Sequence, residues 1–151
     1  MAIAAPLSDA ETIHRRVPRT VSFTSSTPPR PPWTVFKPRA PNDKKPGDRG
    51  DVDGLSVDLA TLRTAKATSE GSDPTRPYSV VALTVGQIRQ TVDSAGAAGM
   101  DVVGQPVSGN EAHALIPQVN WTDYSAGGPS KMRISEWAEG LARQCVTVIQ
   151  V

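Results

Sequence analysis

Two histidines, His14 and His113, are the residues of this chain best suited to acid–base chemistry. Histidine changes its charge near neutral pH, so it is the side chain that most often moves protons in enzymes. His113 lies in the apolar segment 111–116 directly after a Gly-Asn turn, the pattern of a residue at the edge of a strand. If the protein is an enzyme, we expect both histidines to be catalytic. A histidine satisfied by a backbone or carboxylate partner fits the same pattern.

Three arginines, Arg15, Arg16 and Arg39, are candidates for binding phosphate or nucleic acid. The guanidinium group is always charged and its planar set of donors matches phosphate oxygens. Ser56 and Asp53 add polar groups to such a site. With the histidines, these residues indicate a small enzyme that acts on a nucleotide or RNA by histidine acid–base chemistry. A basic run that is only solvated is the alternative.

No motif in the sequence predicts a metal or a cofactor. Asp51, Asp53 and Asp58 form the densest acidic group, but a calcium loop needs more oxygen ligands and a distal Glu. CxxC and HExxH are absent, and the glycines in 94–99 follow a helical segment instead of opening one. Cys145 falls on the apolar face of a predicted helix, where a core residue is expected. We therefore expect no metal and no cofactor.

Four aromatic residues are candidates for binding a protein partner: Trp33, Phe36, Trp121 and Tyr124. Trp33 and Phe36 form an apolar cluster within a polar region, and Trp121 and Tyr124 lie in a segment predicted to be an exposed loop, WTDYSAGG. Aromatic side chains are frequent anchors at interfaces. They also pin arms and loops to a protein's own core, and the sequence leaves both possibilities open.

The elements that must position these residues form an α+β pattern, with a small mixed sheet and two or three helices. Alternation in 55–59 and the β-branched run 78–83 predict strands. Apolar residues with helical spacing predict a helix that begins at Ser130 as its cap. The predicted order after residue 54 is β-α-β-α-β-β-α-β, with the last strand at 146–151. Residues 8–16 favour one or two helical turns, because Ser8 and Glu11 have capping-box spacing.

The N-terminal third has its own composition. Nine of the fourteen prolines fall in the first 46 residues, which favours an extended arm. Residues 1–50 carry nine Lys and Arg against four Asp and Glu, whereas 51–151 carry seven against eleven. We therefore expect a basic Pro-rich arm and loop, residues 1–53, docked on an α+β body, residues 54–151, within one structural domain.

Short motifs in a fixed order resemble a family of small uncharacterised bacterial proteins. They are Ile13-His14, Thr24-Ser25, Phe36-Lys37-Pro38, Asp53-Gly54-Leu55-Ser56-Val57 and His113-Ala114-Leu115-Ile116. The family has Pro after the first His, whereas this chain has Arg15, and this chain has extra residues in 28–32 and 44–50. The resemblance covers about residues 13–117. It implies that the arm and the body belong to one unit, and it implies no activity.

Two classes of function remain on the sequence alone. The first is a non-catalytic interaction protein, an accessory subunit of a bacterial intracellular assembly of the defence- or toxin-linked kind, whose partner is another protein. The second is the nucleotide or RNA enzyme, and an RNA-binding module that uses the basic arm is a further alternative. A lone cysteine and an N-terminus unlike a secretory signal predict the cytoplasm. The absence of a long apolar run predicts no membrane contact.

Overall fold

A computed structural model describes residues 6–71 and 73–151, so the first five residues of the predicted arm and Ser72 lie outside the described residues. Six strands form one sheet in the order β4-β5-β2-β1-β3-β6, and each pair of neighbours is antiparallel. The strands are β1 (Thr12–Val17), β2 (Leu55–Leu59), β3 (Ser79–Thr84), β4 (Val103–Gly104), β5 (His113–Ile116) and β6 (Val146–Ile149).

Four α-helices and one 3-10 turn accompany the sheet, which confirms the α+β class. They are α1 (Ala65–Glu70), α2 (Val85–Gln90), α3 (Trp121–Ser125), α4 (Gly128–Gln144) and the 3-10 turn Trp33–Phe36. The order of elements after residue 54 follows the predicted one, with α3 added before the long helix. Two details differ, because the sheet is antiparallel throughout and α4 begins at Gly128, two residues before the predicted cap. Among the described residues, no helix is long and apolar enough to cross a membrane.

Strand β1 corrects the helix predicted for residues 8–16. The segment pairs with β3 along its full length, from Thr12↔Thr84 to Val17↔Ser79, and with β2 at its start. The capping-box spacing favoured a helix locally, but a strand bonded on both sides satisfies its backbone groups and buries Ile13. Residues 12–17 of the predicted arm therefore form an inner strand of the sheet.

One face of the sheet carries the hydrophobic core. Alternate residues of the inner strands, such as Ile13, Val57 and Leu83, point to this face and are buried. Helix α4 covers them with a face that includes Ile134 and Leu141. We call this side of the sheet the core face.

The arm after β1 packs against α4 and β6. Val35 and Phe36 of the 3-10 turn are buried within the core. Thr147 Oγ1 donates to the carbonyl of Pro29 over 2.9 Å, and the guanidinium of Arg30 donates to the carbonyl of Arg143. Side chains of this segment thus complete the core that α4 begins.

Candidate functional site

The opposite face of the sheet carries a row of three ionisable side chains. The strand register places His14 of β1 opposite Asp58 of β2, and Asp58 opposite His113 of β5. Residues that face each other on antiparallel strands project from the same side of the sheet. Neighbouring strands are about 4.8 Å apart, so the two histidine backbones are about 10 Å apart. The fold therefore brings together the two histidines that the sequence singled out, and we call this side the polar face.

Asp58, in the middle of the row, is buried and held at both carboxylate oxygens. Its Oδ1 accepts a hydrogen bond from Asn110 Nδ2 over 2.8 Å, and its Oδ2 accepts one from Thr68 Oγ1 over 2.8 Å. Arg63 Nη1 lies 3.7 Å from Oδ2. Helix α1 positions Thr68, and the cap at Thr64 fixes where that helix begins. The carboxylate thus has a fixed place between the histidines.

His14 is the most unusual member of the row, because it is only 8% exposed and its Nδ1 has no hydrogen-bond partner among the described residues. Nearly all buried polar atoms in proteins are paired, and His14 lines a cavity in which a water or a bound molecule could supply the partner. Burial lowers the pKa of His14, and the negative charge of Asp58 opposes that shift. The imidazole is therefore neutral near pH 7 and becomes easier to protonate when further negative charge approaches it.

His113 forms a defined pair with a serine. Its Nδ1 lies 2.8 Å from the carbonyl oxygen of Gln105, and its Nε2 lies 3.3 Å from Ser56 Oγ. Because a carbonyl can only accept, Nδ1 must carry the ring proton, and Nε2 of the neutral ring is then the acceptor. The Ser56 hydroxyl consequently donates to His113 Nε2. A hydroxyl bonded to an oriented imidazole is the arrangement of an activated nucleophile.

A small polar cavity of about 50 Å³ lies over the row. One water needs roughly 10–15 Å³ by this measure, so the cavity has room for a few waters or for one group the size of a phosphoryl. Its polar lining consists of His14, Arg15, Arg16, Ser56, Asp58, Thr68, Asn110 and His113. The cavity suits the reacting end of a substrate, and the remainder of any larger substrate would lie outside it.

The cavity lies where two strands of the sheet separate. Pairing of β1 with β2 ends at His14↔Asp58, although β1 continues alongside β3 and β2 continues alongside β5. The guanidinium of Arg15 enters this opening, donating from Nη1 to the Ser56 carbonyl over 2.7 Å and from Nε to the Val35 carbonyl over 3.2 Å. Arg15 thus joins β2 to the 3-10 turn at this opening, with two of its donors bound to backbone carbonyls.

The other two predicted phosphate-binding arginines have different surroundings. Arg16 is exposed at the mouth of the cavity, stacks over the ring of Tyr78 at 5.1 Å, and makes no ion pair within the described part of the chain. Arg39 is turned away, because both its terminal nitrogens bind Asp48, at 2.9 and 2.7 Å. This pairing raises the pKa of Arg39 and lowers the pKa of Asp48 to about 2. Of the three, Arg16 is the one placed to meet an anion in the cavity.

Two larger grooves adjoin the cavity. One, of about 450 Å³, shares Arg15 and Arg16 with it and is also lined by Lys37 and Trp121. The other, of about 310 Å³, shares Ser56 and His113 with it and is bordered by residues 47–54. Asp53, a predicted polar contact, lies in this second groove and pairs with Arg49 at 3.6 Å. The Ser56–His113 pair thus stands between the small cavity and a groove open to solvent.

The four aromatic residues proposed as partner anchors are packed against the protein's own core. Phe36 is fully buried and Tyr124 is 7% exposed, so neither side chain is open to a partner in this structure. A side chain enclosed in its own core has no surface for a partner. Trp33 and Trp121 are partly buried against the same core, and the segment predicted to be a loop at 121–125 is helix α3, capped by Asn120.

Neither a cysteine nor an acidic cluster adds a reactive centre among the described residues. Cys145 is buried and desolvation raises its pKa to about 11, so its thiol stays protonated at neutral pH, as the sequence predicted for a core residue. Within the described ranges, no group of three or more His, Cys, Asp and Glu has the geometry to hold a metal ion.

The contacts that the sequence did not reveal are those of Ser56 with His113 and of Asp58 with Thr68 and Asn110. One signal was available, because Ser56 and Asp58 are two residues apart in the alternating strand β2 and must share a face. Comparisons with protein-family models, with curated proteins and with solved structures found no match to this chain. The resemblance to the bacterial family stays a prediction, and the case for function rests on the geometry of the polar face.

Proposed function

We propose that the protein is a small enzyme that cleaves a phosphate ester of a nucleotide or RNA by acid–base catalysis with His14 and His113. The observation that carries the proposal is the row of His14, Asp58 and His113 across three neighbouring strands, beneath a cavity of phosphoryl size. Arg16 at the mouth of that cavity supplies the positive charge that the ester needs.

The two histidines have distinct roles in this proposal. His113 accepts the proton of the attacking oxygen, because its Nε2 already accepts a hydrogen bond from a hydroxyl. His14 gives a proton to the leaving oxygen. Burial keeps His14 neutral at rest, but a bound phosphate adds negative charge beside it and Asp58, which raises its pKa. Protonation of His14 is therefore coupled to the arrival of the substrate.

The test compares two kinds of phosphate ester on the full chain. In bis(p-nitrophenyl) phosphate the leaving p-nitrophenolate needs no proton, whereas in RNA oligonucleotides and dinucleotides the leaving sugar oxygen does. His113→Gln should lower the rate on both kinds by about 100-fold or more. His14→Gln should do so on the RNA substrates and have a small effect on the release of the first p-nitrophenolate from the nitrophenyl ester. Lys66→Ala, whose side chain is 82% exposed on α1, is the control and should keep the wild-type rate.

The proposal fails if the wild-type protein hydrolyses neither kind of ester. It also fails if both histidine variants keep rates within about threefold of wild type, which is far less than loss of an acid or base would cause. RNA that is retained at low salt without cleavage would favour the RNA-binding alternative, because phosphate contacts are strongest there.

A second candidate function is the protein-interaction role, in a bacterial assembly, that the sequence predicted. It is favoured by β6, which is the last strand of the sheet and exposes Val146 and Val148 on one side. An exposed apolar edge strand is a ready template for pairing with another chain. If this edge binds a protein partner, Val146→Lys with Val148→Lys should remove that partner from the purified protein, and Leu62→Lys, another exposed apolar position, should retain it.

A further inference from the structure

We propose that Ser56 is the attacking nucleophile and that the reaction passes through a covalent phosphoseryl intermediate on this side chain. The inference rests on the proposed function, which leaves the attacking oxygen unassigned. The starting observation is the 3.3 Å contact between Ser56 Oγ and His113 Nε2 on the polar face. Separations of this length between a nucleophile and its base are usual before a substrate binds.

The base of this pair is held in the tautomer that a nucleophile needs. Gln105 is bonded to His113 twice, since its carbonyl receives the Nδ1 proton and its backbone N–H donates to the His113 carbonyl over 2.9 Å. The ring is therefore fixed to the backbone that follows β4. In serine nucleophile sites a third group orients the imidazole and leaves its other nitrogen free to take the hydroxyl proton. Here the Gln105 carbonyl is the group that orients the imidazole.

The position of Ser56 in the sheet leaves its hydroxyl accessible. It lies in β2 beside the opening from β1, and it borders both the small cavity and the groove of about 310 Å³. A substrate can therefore place its phosphorus near Oγ while its larger part occupies a groove. The Arg15 guanidinium donates to the Ser56 carbonyl over 2.7 Å and so places positive charge at the backbone of the nucleophile.

The chemical steps balance with the residues of the row. Ser56 Oγ attacks phosphorus, the Oγ–P bond forms, the bond from phosphorus to the leaving oxygen breaks, and the Oγ proton moves to His113 Nε2. His14, protonated beside the bound phosphate, gives its proton to the leaving oxygen. Water then attacks the phosphoserine, loses a proton to His14, and forms the new P–O bond as the Oγ–P bond breaks. His113 returns its proton to Oγ, so each group ends as it began.

The test uses diisopropyl fluorophosphate, which phosphorylates activated serines and loses fluoride without needing an acid. Intact mass and peptide mapping of the labelled full chain should locate one adduct, on Ser56. Ser56→Ala should remove it, and His113→Gln should slow labelling by about 100-fold, the usual effect of losing a general base. His14→Gln should label at nearly the wild-type rate, and so should Ser130→Ala, which alters an exposed serine on α4.

Two results would overturn the assignment of Ser56 as the nucleophile. One is a wild-type protein whose adduct maps elsewhere or does not form. The other is a folded Ser56→Ala variant, checked by circular dichroism, that keeps the wild-type rate of ester cleavage. In that second case the His14 and His113 variants would still lose cleavage. The proposed function would then be retained, and the covalent step on Ser56 would be rejected. Labelling of Ser56 that depends on His113 would establish the pair even if the nitrophenyl and RNA esters proved to be poor substrates.

Discussion

The two faces of the sheet are built from the same strands and differ in almost every physical respect. On β1, Ile13 and Val17 point to the core face and are fully buried among apolar side chains, whereas His14 and Arg16 point to the polar face. Helix α4 and the arm close the core face. The polar face is covered in part by α1 and by the loop before β5, and that cover leaves a cavity.

The difference shows where the protein carries polar groups at an energetic cost. A buried His with an unpaired nitrogen and a buried Asp both lower stability compared with well-packed apolar residues. The core face carries fewer such groups: Arg15 donates to two carbonyls, and the buried Ser79 hydroxyl accepts from the Val151 N–H. Proteins tend to break local rules of stability at functional sites. The polar groups of the polar face are what this tendency predicts for the proposed site.

Truncating Phe36 should lower the free energy of unfolding more than any other change proposed here. Phe36 lies in the arm, but its side chain is part of the core. Phe36→Ala deletes a fully buried ring, and we expect the free energy of unfolding to fall by about 3–5 kcal/mol. Urea denaturation followed by circular dichroism measures this. Met132→Ala, at a side chain 64% exposed on α4, is the control and should change it by less than about 0.5 kcal/mol. A small loss at Phe36 would mean that the arm is not part of the core in solution.

Changes at Asp58 should separate stability from activity on the polar face. Asp58→Ala leaves the Thr68 hydroxyl and the Asn110 amide unpaired, so the free energy of unfolding should fall by about 1–3 kcal/mol. Asp58→Asn can accept from Asn110 and donate to Thr68, so it should stay close to wild type in stability.

The same Asp58→Asn variant should nevertheless cleave the RNA esters more slowly, because it removes the charge that favours protonation of His14. Urea titrations and initial rates measure the two effects, and Asp43→Asn, in the exposed 42–48 loop, is the matched control. If Asp58→Asn and Asp58→Ala lose equal stability, the hydrogen bonds described here do not hold the carboxylate.

The sequence predicted the elements whose local pattern agreed with their place in the sheet. The alternation in β2 and the β-branched run in β3 were sufficient to predict these two strands, since each strand buries side chains in the way its pattern indicates. β1 was missed because its charged residues and the preceding Ser8 and Glu11 favour a helix locally. Only pairing with β2 and β3, far along the chain, makes it a strand.

The sequence indicated which residue types could do chemistry, but it did not indicate which of these residues would be in contact. Both histidines and Arg16 were named because of their chemistry. Ser56 and His113 are 57 positions apart, and their contact depends on β5 lying beside β2. No short-range pattern encodes that order of strands, so the serine could be named only as a polar contact and not as the partner of a base.

The smallest expected effect concerns pH and tests whether His14 is buried in its neutral form. Because its pKa is lowered in the folded protein, the unfolded chain binds the proton more readily below its ordinary pKa of 6.5. The contribution of His14 to stability is therefore intact above that pH and is lost progressively as the pH falls towards the lowered value.

Wild type and His14→Gln should be compared by urea denaturation near pH 7.5 and near pH 5.5. The stability of wild type relative to His14→Gln should fall on acidification, by less than about 1.4 kcal/mol per pH unit for a single proton. Taking the difference cancels the other groups that titrate in this range, and Lys66→Ala should show no such trend. A difference that grows on acidification would mean that Asp58 outweighs burial and holds His14 as an imidazolium. His14 would then be an acid already charged at rest, and its protonation would no longer depend on the arrival of the phosphate.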